Sequence, residues 1–268
     1  MESMRQALQA QTAPSGQVVK TICVYLLITI DINKFHCNNI AISTVNSTPI
    51  KCVVYPTADI TFNELVTHAR TFDAIGDCSG LLTLTLIYNA KGKPKFGAFK
   101  QAIFGYVDRP ALWSSTSVAI KQCFYTSAST GTRVLYDKHS QLMKLTTEIN
   151  CLRWASALMG IVYRFIDDHK TTNGLAPFSI PEMVFVKSAL AITETDQEVF
   201  LLEEVINDAV HGPFTKYIGN GSVKPFNFLQ GDDLHRGKFL SFCQHVQFLK
   251  TKGLAFVGDF QGKYKCLT

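Results

Sequence analysis

A chain of 268 residues with 47% apolar residues can fill one large core or two small ones, which excludes general disorder. Its charged fraction of 18% lies below the roughly 25% typical of soluble domains, and its net charge of +5 favours phosphate or anionic lipid without making a dedicated nucleic-acid binder. Eight cysteines with no C-x-x-C pair exclude a zinc-finger spacing and a small disulfide scaffold, and read as reduced thiols.

Residues 1–18 are polar, lack periodicity and contain Pro14 and Gly16, so they read as a flexible arm. The run Thr21 to Ile30 is too short to span a bilayer and is closed by Asp31 with no small-residue cleavage site, which suits a buried strand. Without secretion, the sequons at Asn46 and Asn220 carry no glycan. Short apolar runs then predict strands over residues 19–31, Ile50 to Tyr55, Leu81 to Tyr88, Ala102 to Val107 and Val118 to Tyr125. One helix interrupts them. Thr61 and Glu64 form a capping box, Ile60 and Leu65 have staple spacing, Leu65, Ala69, Phe72 and Ile75 share a face, and Gly76 stops it.

His139 to Phe165 predicts a long helix, apolar nearly all round after Cys151, with Arg153 and Arg164 arguing against a membrane crossing. Asp167 to Gly174 then reads as a solvated end and a seam. Met183 to Ile192 predicts a strand, and Thr195 with Glu198 predicts another capped helix that buries Leu202, Val205, Ile206 and Ala209. Asn220-Gly221 predicts a type I′ hairpin. A last helix begins near Asp232 or Asp233, buries Phe239, Phe242, Cys243, Val246 and Leu249, and ends at Lys250 and Lys252 before Gly253. The expected fold is α+β, a mixed or antiparallel sheet with packed helices in one lobe or two. Its parts are a flexible arm (1–18), a β-rich lobe (19–170) and a smaller α/β lobe (171–268).

No phosphate loop, dinucleotide fingerprint or nucleophile elbow is complete, so no catalytic residue, metal ligand or cofactor is assigned, and a non-enzymatic role is expected. Asp167-Asp168-His169 and Asp232-Asp233-Leu234-His235 could hold a divalent ion, but each sits at an expected helix end, where capping explains it better. Charge placement says more. Lys91, Lys93, Lys95, Lys100 and Arg109 interleave with Phe96 and Phe99 against the single acid Asp108, in a Gly- and Pro-spaced loop. Such a loop suits an anionic membrane surface or single-stranded RNA. Glu194, Glu198, Glu203, Glu204 and Asp208 concentrate the opposite sign on the expected helix, which would allow head-to-tail self-association.

The order of polar arm, strand, capped helix (Phe62 to Ile75), strand (Leu81 to Tyr88) and basic loop resembles the core of rhabdovirus matrix proteins. The C-terminal helix running into a short hairpin resembles how those proteins end. The resemblance implies a viral matrix-like structural protein that binds anionic membrane, self-associates and organises a nucleocapsid. It would sit beneath the envelope of the virion and at the host cytoplasm and inner membrane surface. This chain departs from that pattern in lacking a lysine-rich arm and a Pro-Pro-x-Tyr motif. A nucleic-acid-binding movement or nucleocapsid-associated protein and an enzyme with an Asp/His site are the alternatives.

Overall fold

The computed structural model describes residues 47–57, 59–68, 80–206 and 212–267. The arm, the strand expected over 19–31, the helix from Ala69 to Gly76 and Asp208 lie outside these residues.

The strand-forming runs of the first half appear as β1 (Thr48–Pro56), β2 (Leu82–Tyr88), β3 (Lys95–Phe96), β4 (Lys100–Val107), β5 (Ser117–Thr126) and β6 (Arg133–Leu135). Two more strands, β8 (Ser188–Thr193) and β9 (Val199–Glu204), join them from much later in the chain. In the order β4-β2-β1-β8-β9-β5, with β5 pairing back onto β4, six strands close an antiparallel barrel, and β3 and β6 extend it at its margin. Strand alternation decides what fills it. Val54, Leu86, Val118, Ile120, Ala191, Phe200 and Leu202 point inward, and Trp113 joins this core. The opposite face of β5 and β9 is buried too, because Cys123, Leu190, Val199 and Leu201 pack on Leu145 and Ile149 of a helix laid across the barrel.

That helix is α2 (Lys138–Asn173), preceded by the short α1 (Phe62–His68). The α1 capping box is made as expected: the Thr61 N–H donates to Glu64 Oε2 at 2.8 Å, and the Glu64 N–H donates to Thr61 Oγ1 at 3.3 Å. Thr61→Ala should therefore cost about 1 kcal/mol in a denaturant titration. At 36 residues, α2 is longer than the sequence suggests. Asp137 caps its start, receiving the Ser140 N–H at 2.9 Å, and no breaker follows Phe165 until Gly174, whose φ is 85°. The expected seam at Asp167 to Gly174 is thus the last turns of a helix, with Thr171 and Thr172 hydroxyls donating to the Asp167 and Asp168 carbonyls.

Below the barrel, α2 packs on α3 (Gly231–Lys250) and on a four-stranded sheet ordered β10 (Thr215–Lys216), β11 (Gln261–Lys263), β12 (Cys266–Leu267) and β7 (Val184–Phe185). Leu158, Val162, Leu240, Cys243, Tyr217 and Phe260 form this second core. Gly262 of β11 is held against β12: a Cβ there would lie 2.0 Å from the Cys266 carbonyl oxygen. Gly262→Ala is expected to destabilise by more than about 3 kcal/mol, read as a lowered denaturation midpoint.

Several expectations need correcting. A cut at 170/171 would fall inside α2 and would take β8 and β9 from the barrel they complete. The helix expected from Thr195 is a β8–β9 hairpin: the Thr193 N–H donates to the Glu198 carbonyl at 3.0 Å, and Gln197 turns at φ 55°. Pairing of β9 on both sides, with β8 and β5, outweighs the local capping signal. Met183 to Ile192 divides into β7 and β8, which belong to different sheets. The Asn220-Gly221 turn closes with Ser222 N–H to Gly219 O at 3.2 Å, but positive φ occurs only at Gly221, so it is not type I′. α3 begins where expected, yet Phe242 and Leu249 are 39% and 59% exposed rather than buried.

Candidate functional site

The basic segment divides between surface and core. Lys91 and Lys93 are exposed on a turn fixed by the Asn89 side chain, which receives the Lys91 N–H at 3.0 Å. Lys95 lies 5.8 Å from the Phe104 ring centroid. Phe96 is clamped between Phe124, ring to ring at 5.5 Å, and the Arg133 guanidinium at 4.4 Å. Phe99 is 53% exposed. Arg109 stands at the other end of β4, donating to the Thr83 carbonyl at 2.8 Å. Lys100 is buried with its ammonium 2.5 Å from Glu148 of α2, so it is no part of a surface loop.

The acidic residues do not share a helix face either. Glu194 and Glu198 are on the exposed side of the β8–β9 hairpin, with Glu198 3.7 Å from Lys138. Glu204 receives the Ser114 N–H at 2.8 Å. Glu203 is buried and paired with Lys121. Asp167 and Asp168 are exposed, Lys170 lies 3.2 Å from Asp167, and Asp233 pairs with Arg236 at 2.6 Å. Among the described residues no three His, Cys, Asp or Glu side chains converge as metal ligands.

A second, buried arrangement is brought together by the barrel. Ala102 of β4 lies opposite Lys121 of β5, and Lys100 opposite Cys123, so the two lysines are diagonal neighbours on the face covered by α2. Glu203 of β9 and Glu148 of α2 supply the matching carboxylates. Loss of hydration pushes the Lys121 ammonium below the usual lysine range; Glu203 opposes that shift and Lys100 adds to it. Glu203 Oε1 is buried without a hydrogen-bond partner, an acceptor left over by its pairing through Oε2.

Lys121 ends the tetrapeptide Val118-Ala119-Ile120-Lys121. V-A-I-K is the strand signature on which protein kinases carry the lysine that holds ATP phosphates and pairs with a helix glutamate. That context is met only in the strand: the four residues lie on a central antiparallel strand, but Lys121 pairs with Glu203 of β9, and the helix glutamate Glu148 pairs with Lys100. Reading the segment only as an apolar strand passes over this signal, although the tetrapeptide is complete in the sequence. The glycine-rich phosphate loop of that signature is incomplete, with only Gly92 and Gly97 between β2 and β4.

The chain leaves the barrel just after Glu203, and the Lys263 ammonium donates to the Ile206 carbonyl at 2.9 Å, fastening β11 to this crossing. Asp259 lies two residues before β11. Its side chain is fully buried, Lys216 lies 2.9 Å from Oδ1, and Oδ2 has no hydrogen-bond partner. Its φ of 54° is a left-handed conformation that non-glycine residues adopt at a cost. The five described cysteines are free; burial raises the Cys52 and Cys151 thiols to about 11 and the Cys243 thiol further, which leaves all three poor nucleophiles. Comparison with protein-family models and with curated proteins gives no match.

Proposed function

We propose that this chain binds a nucleoside triphosphate at the buried lysine pair between the barrel and α2. The observation that supports this reading is the V-A-I-K lysine, Lys121, on β5, buried and ion-paired beneath α2. Lys121 and Lys100 would receive phosphate oxygens, exchanging a carboxylate partner for a phosphate partner without leaving a bare buried charge. Glu148 and Glu203 position the two ammonium groups. Magnesium would accompany the nucleotide and neutralise phosphate charge. Titration calorimetry with magnesium-ATP tests the reading: the wild type should bind, and Lys121→Met should weaken binding at least about tenfold. Absence of binding to ATP and GTP at millimolar concentration would sink it.

A second reading is favoured by the exposure of Lys91, Lys93 and Phe99: peripheral attachment to an anionic surface and self-association, as in a viral matrix-like protein, with RNA as the other polyanion. Flotation with anionic liposomes that Lys91→Glu/Lys93→Glu abolishes would support it. A steep salt dependence on RNA without flotation would favour the nucleic-acid partner.

A further inference from the structure

A groove of about 800 Å³ lies between the end of α2, the segment 174–183 and the first half of α3. Its walls are apolar, with Phe165, Ile180 and Phe242 among them, and its polar lining is basic or neutral: His169, Lys170, His235 and Lys238, with no acid. The volume falls within the range of small-molecule sites.

An exposed apolar groove of this size marks an interaction or ligand site. Here the loop wall is fastened at three points. The Gly174 N–H donates to the Lys170 carbonyl at 2.9 Å, His235 Nε2 bonds the Ser179 carbonyl at 2.9 Å, and the Tyr163 hydroxyl receives the Met183 N–H at 2.6 Å. That hydroxyl also lies 3.2 Å from both the Pro181 and Met183 carbonyls. Phe178, 62% exposed, stands at the lip of a preformed space.

The same bonds limit what can enter. Pro177 and Pro181 have no N–H, and the Ser179, Pro181 and Met183 carbonyls already face side-chain donors. An extended peptide would find few backbone partners there, whereas an alkyl chain needs none. The basic groups set the sign of the other end. Lys170 is shared with Asp167, while Lys238 is exposed and forms no ion pair among the described residues. We propose that this groove binds a long-chain carboxylate, its alkyl chain between the phenylalanines and its head group at Lys238 and Lys170.

The test is titration calorimetry of the full chain with hexadecanoate below its aggregation limit, beside methyl hexadecanoate and octanoate. Hexadecanoate should bind saturably, with the ester and the short acid each at least about tenfold weaker. Lys238→Glu and Phe178→Asp, both at exposed positions, should each weaken hexadecanoate about tenfold or more while leaving the circular dichroism spectrum unchanged. No saturable binding overturns the proposal, and so does equal affinity for acid and ester combined with an inert Lys238→Glu. Attachment to anionic vesicles, or capture of an acidic amphipathic peptide, without binding of monomeric hexadecanoate also overturns it, in favour of a membrane or protein partner. Magnesium-ATP binding measured on the same variants should be unaltered, so failure here is separable from failure at Lys121.

Discussion

Glu203→Leu is expected to lose about 3–5 kcal/mol of stability, whereas Lys121→Met/Glu203→Leu should match the wild type or exceed it by about 1–4 kcal/mol. Both groups of this pair are about 3% exposed. Removing the carboxylate leaves an ammonium with no water to solvate it and Lys100 nearby to repel it. Lys121 then has to lose its proton or pull the barrel away from α2. Removing both charges spares the desolvation of each, and Met and Leu suit a face already formed by Leu201, Leu190 and Ile149. Urea titrations of the wild type, two single variants and the double variant complete the cycle. Equal losses for the single and double variants would mean that water reaches the pair. A stable double variant that no longer binds magnesium-ATP would show these charges to be kept for nucleotide binding rather than for folding.

Asp259→Gly is expected to leave stability unchanged or raise it by about 1 kcal/mol, because glycine adopts a φ of 54° freely. The Lys216 left behind is 31% exposed and can turn to water. Magnesium-ATP binding should be unaltered, because Asp259 is not among the charges that act on Lys121. Thermal unfolding and titration calorimetry with magnesium-ATP on one preparation decide it. A marked loss of stability would make Asp259 a structural anchor for Lys216.

Local signals predicted local structure well. The Thr61/Glu64 box, the strand runs of β1, β2, β4 and β5, and the start of α3 after Gln230 are all found where composition and spacing put them. What failed was non-local. Thr195 and Glu198 have the right spacing for a helix start, but Val199–Glu204 is the strand that links β8 to β5, and nothing within ten residues announces that closure. Lys100 has the surroundings of a surface lysine in sequence, and its burial depends on Glu148, 48 positions away. The acidic residues formed a group only on the assumption of a helix. V-A-I-K was legible without any structure; its weight comes from the barrel that buries the lysine and from the helix set over it.

The closure of the barrel also determines when it can exist. β1, near residue 50, hydrogen-bonds to β8, near residue 190, and β9 is needed to join β8 to β5. A ribosome adding about 5–20 residues per second must continue for several seconds after β5 emerges before either missing strand is made. During that interval β1 and β5 are open edges, one strand each side of a gap, able to pair with a neighbouring chain as readily as with their own. Fragments ending before residue 188 keep those edges permanently. Aggregation of such fragments, and its relief by a separately supplied Ser188–Glu204 peptide, would follow directly from this topology.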